Sequence, residues 1–401
     1  MKKYQLSRQY RFLTSEDVSQ TNSKIADQLK QGEVFGLINR SSGDCIILNT
    51  PMYLFLKEYK TPKKIEEVAA ILANTFNSTQ QAVLPIVQQF FKEMKQQGII
   101  ISPKAVKHTE IIEPYTSGTL LDHYRIEKNL SSNLPIEVYK ATNLLSQQNV
   151  ILKVLRIPSL LGEKKQKKWR KTFKKEFSIQ KILRGHPNIC QLLELTPDYA
   201  VLEWIDGISL RKWVDEGGVF DTSLRQTFLS QILNSYSFMH AKGILHGDIH
   251  SSNIFISNNS TIKIIDFDLA HQLTKNNHLP ELGGGVPEFI PPENIRFSAF
   301  DIVKGKANYR TEVYQLGIIA YWIVYGKLPF TGEIWQDMAA DILHKDIDFA
   351  NLCSNGDEVS PSLVAFLKKS LAKTPDNRFA SAIEMSKSFR KISNKNDKIL
   401  A

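Results

Sequence analysis

With 401 residues, 42% hydrophobic and 23% charged, the chain has the length of two or three domains and the composition of a globular protein, not of a disordered or fibrous one. Three scattered cysteines, Cys45, Cys190 and Cys353, exclude a disulfide scaffold or a cysteine-rich metal site and fit a reducing cytosol. The net charge of +10 favours an anionic partner, while the basic start Met1-Lys2-Lys3 leads into no apolar stretch and the run Leu316–Tyr325 is too short to cross a bilayer, so a cytoplasmic protein without a membrane partner is expected.

Residues 1 to about 30 carry no firm pattern. Val34–Ile38 and Cys45–Leu48 then flank the turn-forming Arg40-Ser41-Ser42-Gly43-Asp44 as a hairpin. Thr50-Pro51 opens a short helix through Tyr59, with proline at the first helical position, and Thr61-Pro62 repeats the device before an apolar face of Ile65, Val68, Ala69, Leu72 and Phe76. Ser78 and Gln81 form a capping-box pair for a third helix striped by Val83, Val87, Phe90 and Met94. Gly98 stops that helix and Ile99-Ile100-Ile101 returns as a strand. A hairpin, three short helices and a closing strand make a small winged-helix-like domain over residues 1–107.

The stretch from Asp44-Cys45 through Phe76, followed by the run ending at Gly98-Ile99-Ile100-Ile101, resembles the PqqD-type peptide-recognition domain. That family captures the leader of a ribosomally made precursor peptide by strand addition at the hairpin edge. The alternative is a dimerisation or DNA-binding winged helix. A nucleic-acid partner is not expected, because the helix after Ser78 is rich in glutamine and apolar residues and has no arginine.

Residues 108–120 read as a linker, with Pro114, Ser117 and Gly118. Beyond it, Ile126–Leu130, Glu137–Ala141 and Val150–Val154 read as strands. Lys164, Lys165, Lys167, Lys168, Arg170, Lys171, Lys174 and Lys175 interleave with Trp169, Phe173, Glu176, Phe177 and Leu183 as a basic amphipathic helix. Its cationic side is a solvated face or a docking site for an acidic segment. Ala200–Trp204 is a further strand, entering a hinge at Ile205-Asp206-Gly207. Helices then dominate, at Leu224–Ala241, Val313–Tyr325, Ser360–Leu371 and Ala380–Lys391, with residues 394–401 as a tail.

Between the first and second of these helices stands Ile244-Leu245-His246-Gly247-Asp248-Ile249-His250-Ser251-Ser252-Asn253, echoed by Ile264-Ile265-Asp266-Phe267-Asp268 across the turn residues Asn258-Asn259-Ser260. Three short polar side chains, Asp248, Asn253 and Asp266, converge there. An amide and a carboxylate suit a hard divalent cation, and Asp248 can face a hydroxyl as its proton acceptor. The pattern resembles the catalytic loop and metal-binding triplet of the protein-kinase superfamily. The resemblance covers residues 121–393 and implies an α+β, bilobal protein-kinase fold behind the winged-helix-like domain.

By that resemblance, Lys153 grips the ATP phosphates and Glu176 holds Lys153; Asp248 is the catalytic base; Asn253 and Asp266 bind Mg2+; Val138, Ile151, Glu203, Trp204 and Ile205 line the nucleotide. Glu293 in Pro-Pro-Glu, Arg378, and the helix ending in Leu328-Pro329-Phe330 match the scaffold of eukaryotic-like protein kinases, which implies a peptide or protein substrate. Several positions depart from the pattern. Leu130-Ser131-Ser132-Asn133-Leu134-Pro135-Ile136-Glu137-Val138 has no glycine where phosphates are covered, Ile151 replaces an alanine, Asp268 replaces a glycine and adds a third carboxylate, and Glu312 replaces an aspartate that anchors the catalytic loop. His250 and Val286 stand where a lysine–threonine contact is usual, and His250 can donate to a phosphate oxygen. Gly247 replaces the arginine that reads a phosphorylated activation loop. The expectation is an ATP- and Mg2+-dependent kinase acting on a Ser or Thr hydroxyl. A pseudokinase scaffold and a small-molecule, aminoglycoside-type phosphotransferase are the alternatives.

Overall fold

The computed structural model describes residues 3–7, 10–12, 35–39, 45–48, 50–96, 98–102, 114–133, 135–157, 163–273, 286–295, 307–332 and 335–397. The expected turn at Arg40–Asp44, together with Asn49, Leu134 and the first half of the linker, lies outside them. The chain divides into two units, residues 1–170 and 171–401.

In the first unit, β1 (Gln5–Leu6) pairs with the closing strand, and β2 (Tyr10–Phe12), β3 (Phe35–Asn39) and β4 (Cys45–Leu48) form an antiparallel sheet in that order, with Phe35 opposite Leu48. The hairpin is as expected; β1 and β2 were not legible, since two- and three-residue strands carry too few positions to establish alternation. Helices α1 (Thr50–Glu58), α2 (Ile65–Thr75) and α3 (Gln80–Gln96) follow, then β5 (Ile100–Ile101). Leu37, Leu48, Phe55, Tyr59, Val68, Val87 and Ile100 form their core.

Three local expectations are corrected. Pro62 lies three residues ahead of α2 instead of at its first position, and Glu67 inside the helix accepts from the N–H of the preceding cap residue Lys64 at 3.0 Å. The hydroxyl that caps α3 belongs to Thr79, which accepts from Ala82 N–H, not to Ser78. Phe76 lies beyond the end of α2 and is exposed instead of completing its apolar face.

The second half of this unit is an antiparallel sheet of β6 (Leu120–Leu121), β7 (Tyr124–Asn133), β8 (Ile136–Asn143) and β9 (Asn149–Leu155). Alternation buries Glu137, Tyr139 and Ala141 on one face of β8, and the register sets Val138 directly opposite Lys153. Two register shifts along β7 bend the ribbon.

Helix α4 (Glu163–Ile182) buries Phe173, Glu176, Phe177 and Ile179 and exposes Lys164, Lys167, Lys168, Arg170, Lys171, Lys174 and Lys175. It leads into the second unit. There β10 (Leu192–Leu195) pairs with β11 (Tyr199–Glu203), and a small sheet runs β12 (Gly207–Ser209), β14 (Ile254–Ser257), β15 (Ile262–Ile264). Helix α5 (Leu210–Asp215) precedes α6 (Thr222–Ala241), capped by Asp221 accepting from Leu224 N–H at 2.7 Å. β13 (Ile244–Leu245) pairs with β16 (His271–Gln272). Helix α7 (Tyr309–Tyr325) is buried from Thr311 to Tyr325, and this explains why the run Leu316–Tyr325 is apolar on every side. A Cβ at Gly317 would press on Leu371, so glycine lets the helix beginning at Pro361 approach closely. α8 (Trp335–His344), α9 (Pro361–Ser370) and α10 (Ala382–Asp397) complete the unit. The mixed helix-and-sheet architecture with a curled sheet agrees with the expected α+β class.

Candidate functional site

The expected site residues divide between the two units. In the first, Val138, Ile151 and Lys153 sit on adjacent strands β8 and β9, with Lys153 buried although it is a lysine in an apolar run. In the second lie Glu176, Glu203, Trp204, Ile205, Asp248, His250, Asn253 and Asp266.

The loop between β13 and β14 is built by its histidines. His246 is fully buried; its Nδ1 accepts from Asp248 N–H at 3.3 Å and its Nε2 donates to the Ile265 carbonyl at 3.1 Å. Those two bonds fix the orientation of the ring and tie the loop to the strand end just before Asp266. Ile265 N–H in turn donates to the Asn253 carbonyl at 3.0 Å. Asn253, buried, donates from Nδ2 to the Asp248 carbonyl at 3.1 Å and to its Oδ2 at 3.2 Å. His250 Nδ1 accepts from Ser252 N–H at 3.2 Å, leaving Nε2 to face Asp248 Oδ2 at 3.4 Å. Asp248 is thus held from two sides. Burial pushes its carboxyl up, but the His250 hydrogen bond and charge, the nearby His246 and the Asn253 hydrogen bond together outweigh that and hold it below the usual aspartate range.

Gly247 occupies left-handed backbone at φ 80°, and a Cβ there would overlap the Leu269 carbonyl. Its N–H donates to Glu312 Oε1 at 2.8 Å, while Glu312 Oε2 lies 2.8 Å from His240 Nε2. His240 Nδ1 accepts from Ala382 N–H at 3.0 Å, so Nε2 is the donor to Glu312. Glu312 therefore keeps the anchoring task expected of an aspartate, and uses its extra methylene to reach His240 as well. His240 was not singled out from sequence. Its only signal is a histidine on the inner face of an apolar helix, which more often means packing.

Asp266 also has left-handed backbone, φ 64°, unusual for a residue with a Cβ and typical of functional sites. Carboxylate oxygens of Glu176, Asp266 and Asp268 lie within 4.8 Å of one another. Three such groups need compensating positive charge, and an all-oxygen set of this kind fits a hard divalent cation. Asp268, expected as a third carboxylate near the metal ligands, lies in the same cluster as Asp266, and Glu176 joins them.

Around the expected nucleotide edge, Glu203 turns its carboxylate to Lys263 Nζ at 2.7 and 3.0 Å and to Gln191 N–H at 2.9 Å. Its carboxylate is therefore committed to the protein and not to a ligand. The next turn is fixed by Asp206, whose carbonyl and carboxylate accept from the backbone and side chain of Asn258.

Below the loop, the expected Glu293–Arg378 pair is present. Arg378 donates to both Glu293 oxygens at 2.8 and 2.7 Å and to the carbonyls of Ala372, Lys373 and Arg310, which occupies all five of its N–H groups.

The sequence matches the family model described as protein kinase domain over residues 136–389. Among curated proteins it is similar to serine/threonine-protein kinase PknB of Mycolicibacterium smegmatis, 28% identical over 281 residues, which cover 67% of this chain and 43% of the relative. PknB of Mycobacterium tuberculosis is 27% identical over the same coverage. CBL-interacting protein kinase 5 of Oryza sativa subsp. japonica is 28% identical over 241 residues, 58% of this chain and 49% of that protein. The chain thus spans less than half the length of these relatives.

Proposed function

Because this chain belongs to the protein kinase domain family, we propose that it transfers the γ-phosphoryl group of ATP to a Ser or Thr hydroxyl of a protein or peptide, and that its first hundred residues bind that substrate. The observation that carries the proposal is the Asp248 carboxylate, held ionised between Asn253 and His250 on a loop anchored by Glu312. Such a group can accept the substrate hydroxyl's proton as the oxygen attacks. His250 Nε2 at 3.4 Å and Asn253 Nδ2 at 3.2 Å together keep the Asp248 carboxylate oriented. Lys153, buried opposite Val138, supplies a fixed positive charge for phosphate, with Ile151 beside it for the adenine. Trp204, Ile205 and the Glu203 backbone are assigned to the base of the nucleotide. Asn253, Asp266 and Asp268 are the residues assigned to Mg2+, which when bound neutralises phosphate charge.

Peptide capture by the first domain is supported by the sheet order, in which β4 pairs with β3 on one side only among the described residues. An extended peptide can add there as a strand. A precursor peptide is the proposed substrate class. A reducing cytosolic setting is supported by the two buried thiols, Cys190 and Cys353. The Glu293–Arg378 scaffold favours a protein substrate over a small molecule.

The test is incubation of the full chain with Mg2+ and γ-labelled ATP, alone and with a generic protein acceptor such as casein. Transfer of label by the parent and its loss in Asp248→Asn is the expected result. A parent that binds nucleotide but transfers nothing would establish the pseudokinase alternative.

A further inference from the structure

The hairpin β7–β8 has no glycine at its tip, yet it is pinned from the opposite face of the sheet. Glu137 immediately precedes Val138, so strand alternation sends its side chain away from the side facing Lys153. It is fully buried there. Tyr139 Oη donates to Glu137 Oε2, and Arg156 Nη1 donates to the same oxygen at 3.1 Å. The Arg156 guanidinium lies 4.0 Å over the ring of Tyr115, and the Tyr115 backbone N–H donates to Tyr139 Oη at 2.9 Å. The four residues close a ring of contacts. Arg156 adds a second hold on the hairpin, since its backbone N–H donates to the Pro135 carbonyl at 2.7 Å.

Glu137 Oε1 is buried with no hydrogen-bond partner. A carboxylate kept under that penalty needs its remaining contacts intact. Burial pushes Glu137 upward from the ordinary glutamate range, with Tyr139 and Arg156 opposing. A buried acid beside a hairpin tip does nothing for a loop that must flex, but it holds one that must not.

We infer that Tyr115, Glu137, Tyr139 and Arg156 form a clamp that fixes the hairpin over the nucleotide, with Tyr115 and Arg156 as positioning residues for nucleotide binding. This rests on the kinase reading only through the nucleotide. A flexible cover closes on phosphates through glycine backbone; this one is preshaped, and its geometry depends on a tyrosine contributed by the segment that leads in from the first domain.

The test uses the full chain and two readouts, hydrogen exchange of residues 129–138 without nucleotide and titration with Mg-ATP. Tyr115→Ala and Glu137→Gln should speed hairpin exchange about ten-fold while leaving Tyr309–Tyr325 unchanged, and should raise the nucleotide Kd several-fold. Tyr115→Phe keeps the ring and the backbone donor, so it should behave as the parent. Unchanged hairpin exchange, a uniform acceleration across the chain, or a parent that binds no nucleotide would each overturn the clamp. A parent that binds nucleotide without transferring phosphate would overturn the proposed activity and leave the clamp to be decided by exchange and Kd.

Discussion

Gly247 donates its backbone N–H to the buried carboxylate of Glu312 at 2.8 Å, which ties the loop carrying Asp248 to the most buried helix of the second unit. The other carboxylate oxygen is taken by His240, itself fixed by Ala382 N–H. The loop's position is therefore set by a chain of three bonds through α6, α7 and the start of α10. A side chain one methylene shorter cannot span both partners.

Glu312→Asp should accordingly free one of the two donors, and Glu312→Ala both. Each buried donor left unsatisfied costs about 1–3 kcal/mol. Denaturant unfolding should show the alanine variant to be the less stable of the two. Phosphoryl transfer should fall in both variants more than nucleotide affinity does. Equal stability of parent and alanine variant would show that the bonds contribute nothing net.

Asp248→Asn keeps the Asn253 contacts sterically possible but removes the proton acceptor. Turnover should drop by roughly 10²–10⁴-fold, the usual range for a lost general base, with nucleotide titration nearly unchanged. Unaltered turnover would reassign the base.

The pH dependence follows from the direction of the Asp248 shift. Its carboxyl lies below the ordinary value in the folded chain, so the associated stability is fully present above the unfolded aspartate value of about 3.9 and is lost as pH falls through the lower folded value. Relative to Asp248→Asn, the parent should therefore hold a constant stability difference through neutral pH and lose it only in strong acid. In the free chain, a decline in kcat/KM between pH 5 and 7 would have to come from another group. Chemical denaturation and rate profiles from pH 3 to 8 check both.

Arg378 is fully enclosed and uses every donor it has. Arg378→Ala would strand Glu293 and should cost about 3–5 kcal/mol. Arg378→Lys should restore little of that, because an ammonium cannot reproduce a planar five-donor fork. Thermal unfolding of both variants is the measurement.

How far the sequence reveals this molecule depends on whether a feature is local or assembled. The loop from His246 to Asn253, the Glu293–Arg378 pair and the largely apolar helix α7 are legible, because motif spacing or composition marks them directly. The start of the chain was not, since β1 and β2 are defined by partners up to about a hundred positions away and not by any alternation of their own. His240 and the ring around Glu137 were missed for a related reason. Each is an ordinary polar residue in an apolar strand or helix, and only folding brings its partner near. Side-chain chemistry does not separate the neighbouring hydroxyls of Ser78 and Thr79 as caps; backbone geometry selects Thr79.

The remaining prediction concerns division of labour between the first hundred residues and the rest. In the sheet β2–β3–β4, β4 stands at the edge, with Leu48 buried in the core beneath it. Main-chain hydrogen bonds along that edge would supply affinity, and pockets under alternate residues would supply choice. The lysines of α4 add a cationic face that an acidic peptide would feel, an attraction that should weaken as salt rises. Tethering a substrate in this way raises its effective concentration near Asp248 without altering the chemistry there. Removing residues 1–107 while keeping Tyr115 and all that follows should therefore raise KM for a peptide carrying the recognised leader by about ten-fold or more. Its kcat at saturating peptide should be preserved, and so should KM for ATP, because the clamp on the nucleotide hairpin is retained. Steady-state kinetics on the truncated and full chains, with the same peptide, separate these quantities. Equal KM values for the peptide in the two chains would remove substrate selection from the first domain, and a fall in kcat alone would mean that the domain supports the catalytic unit without choosing what it acts on.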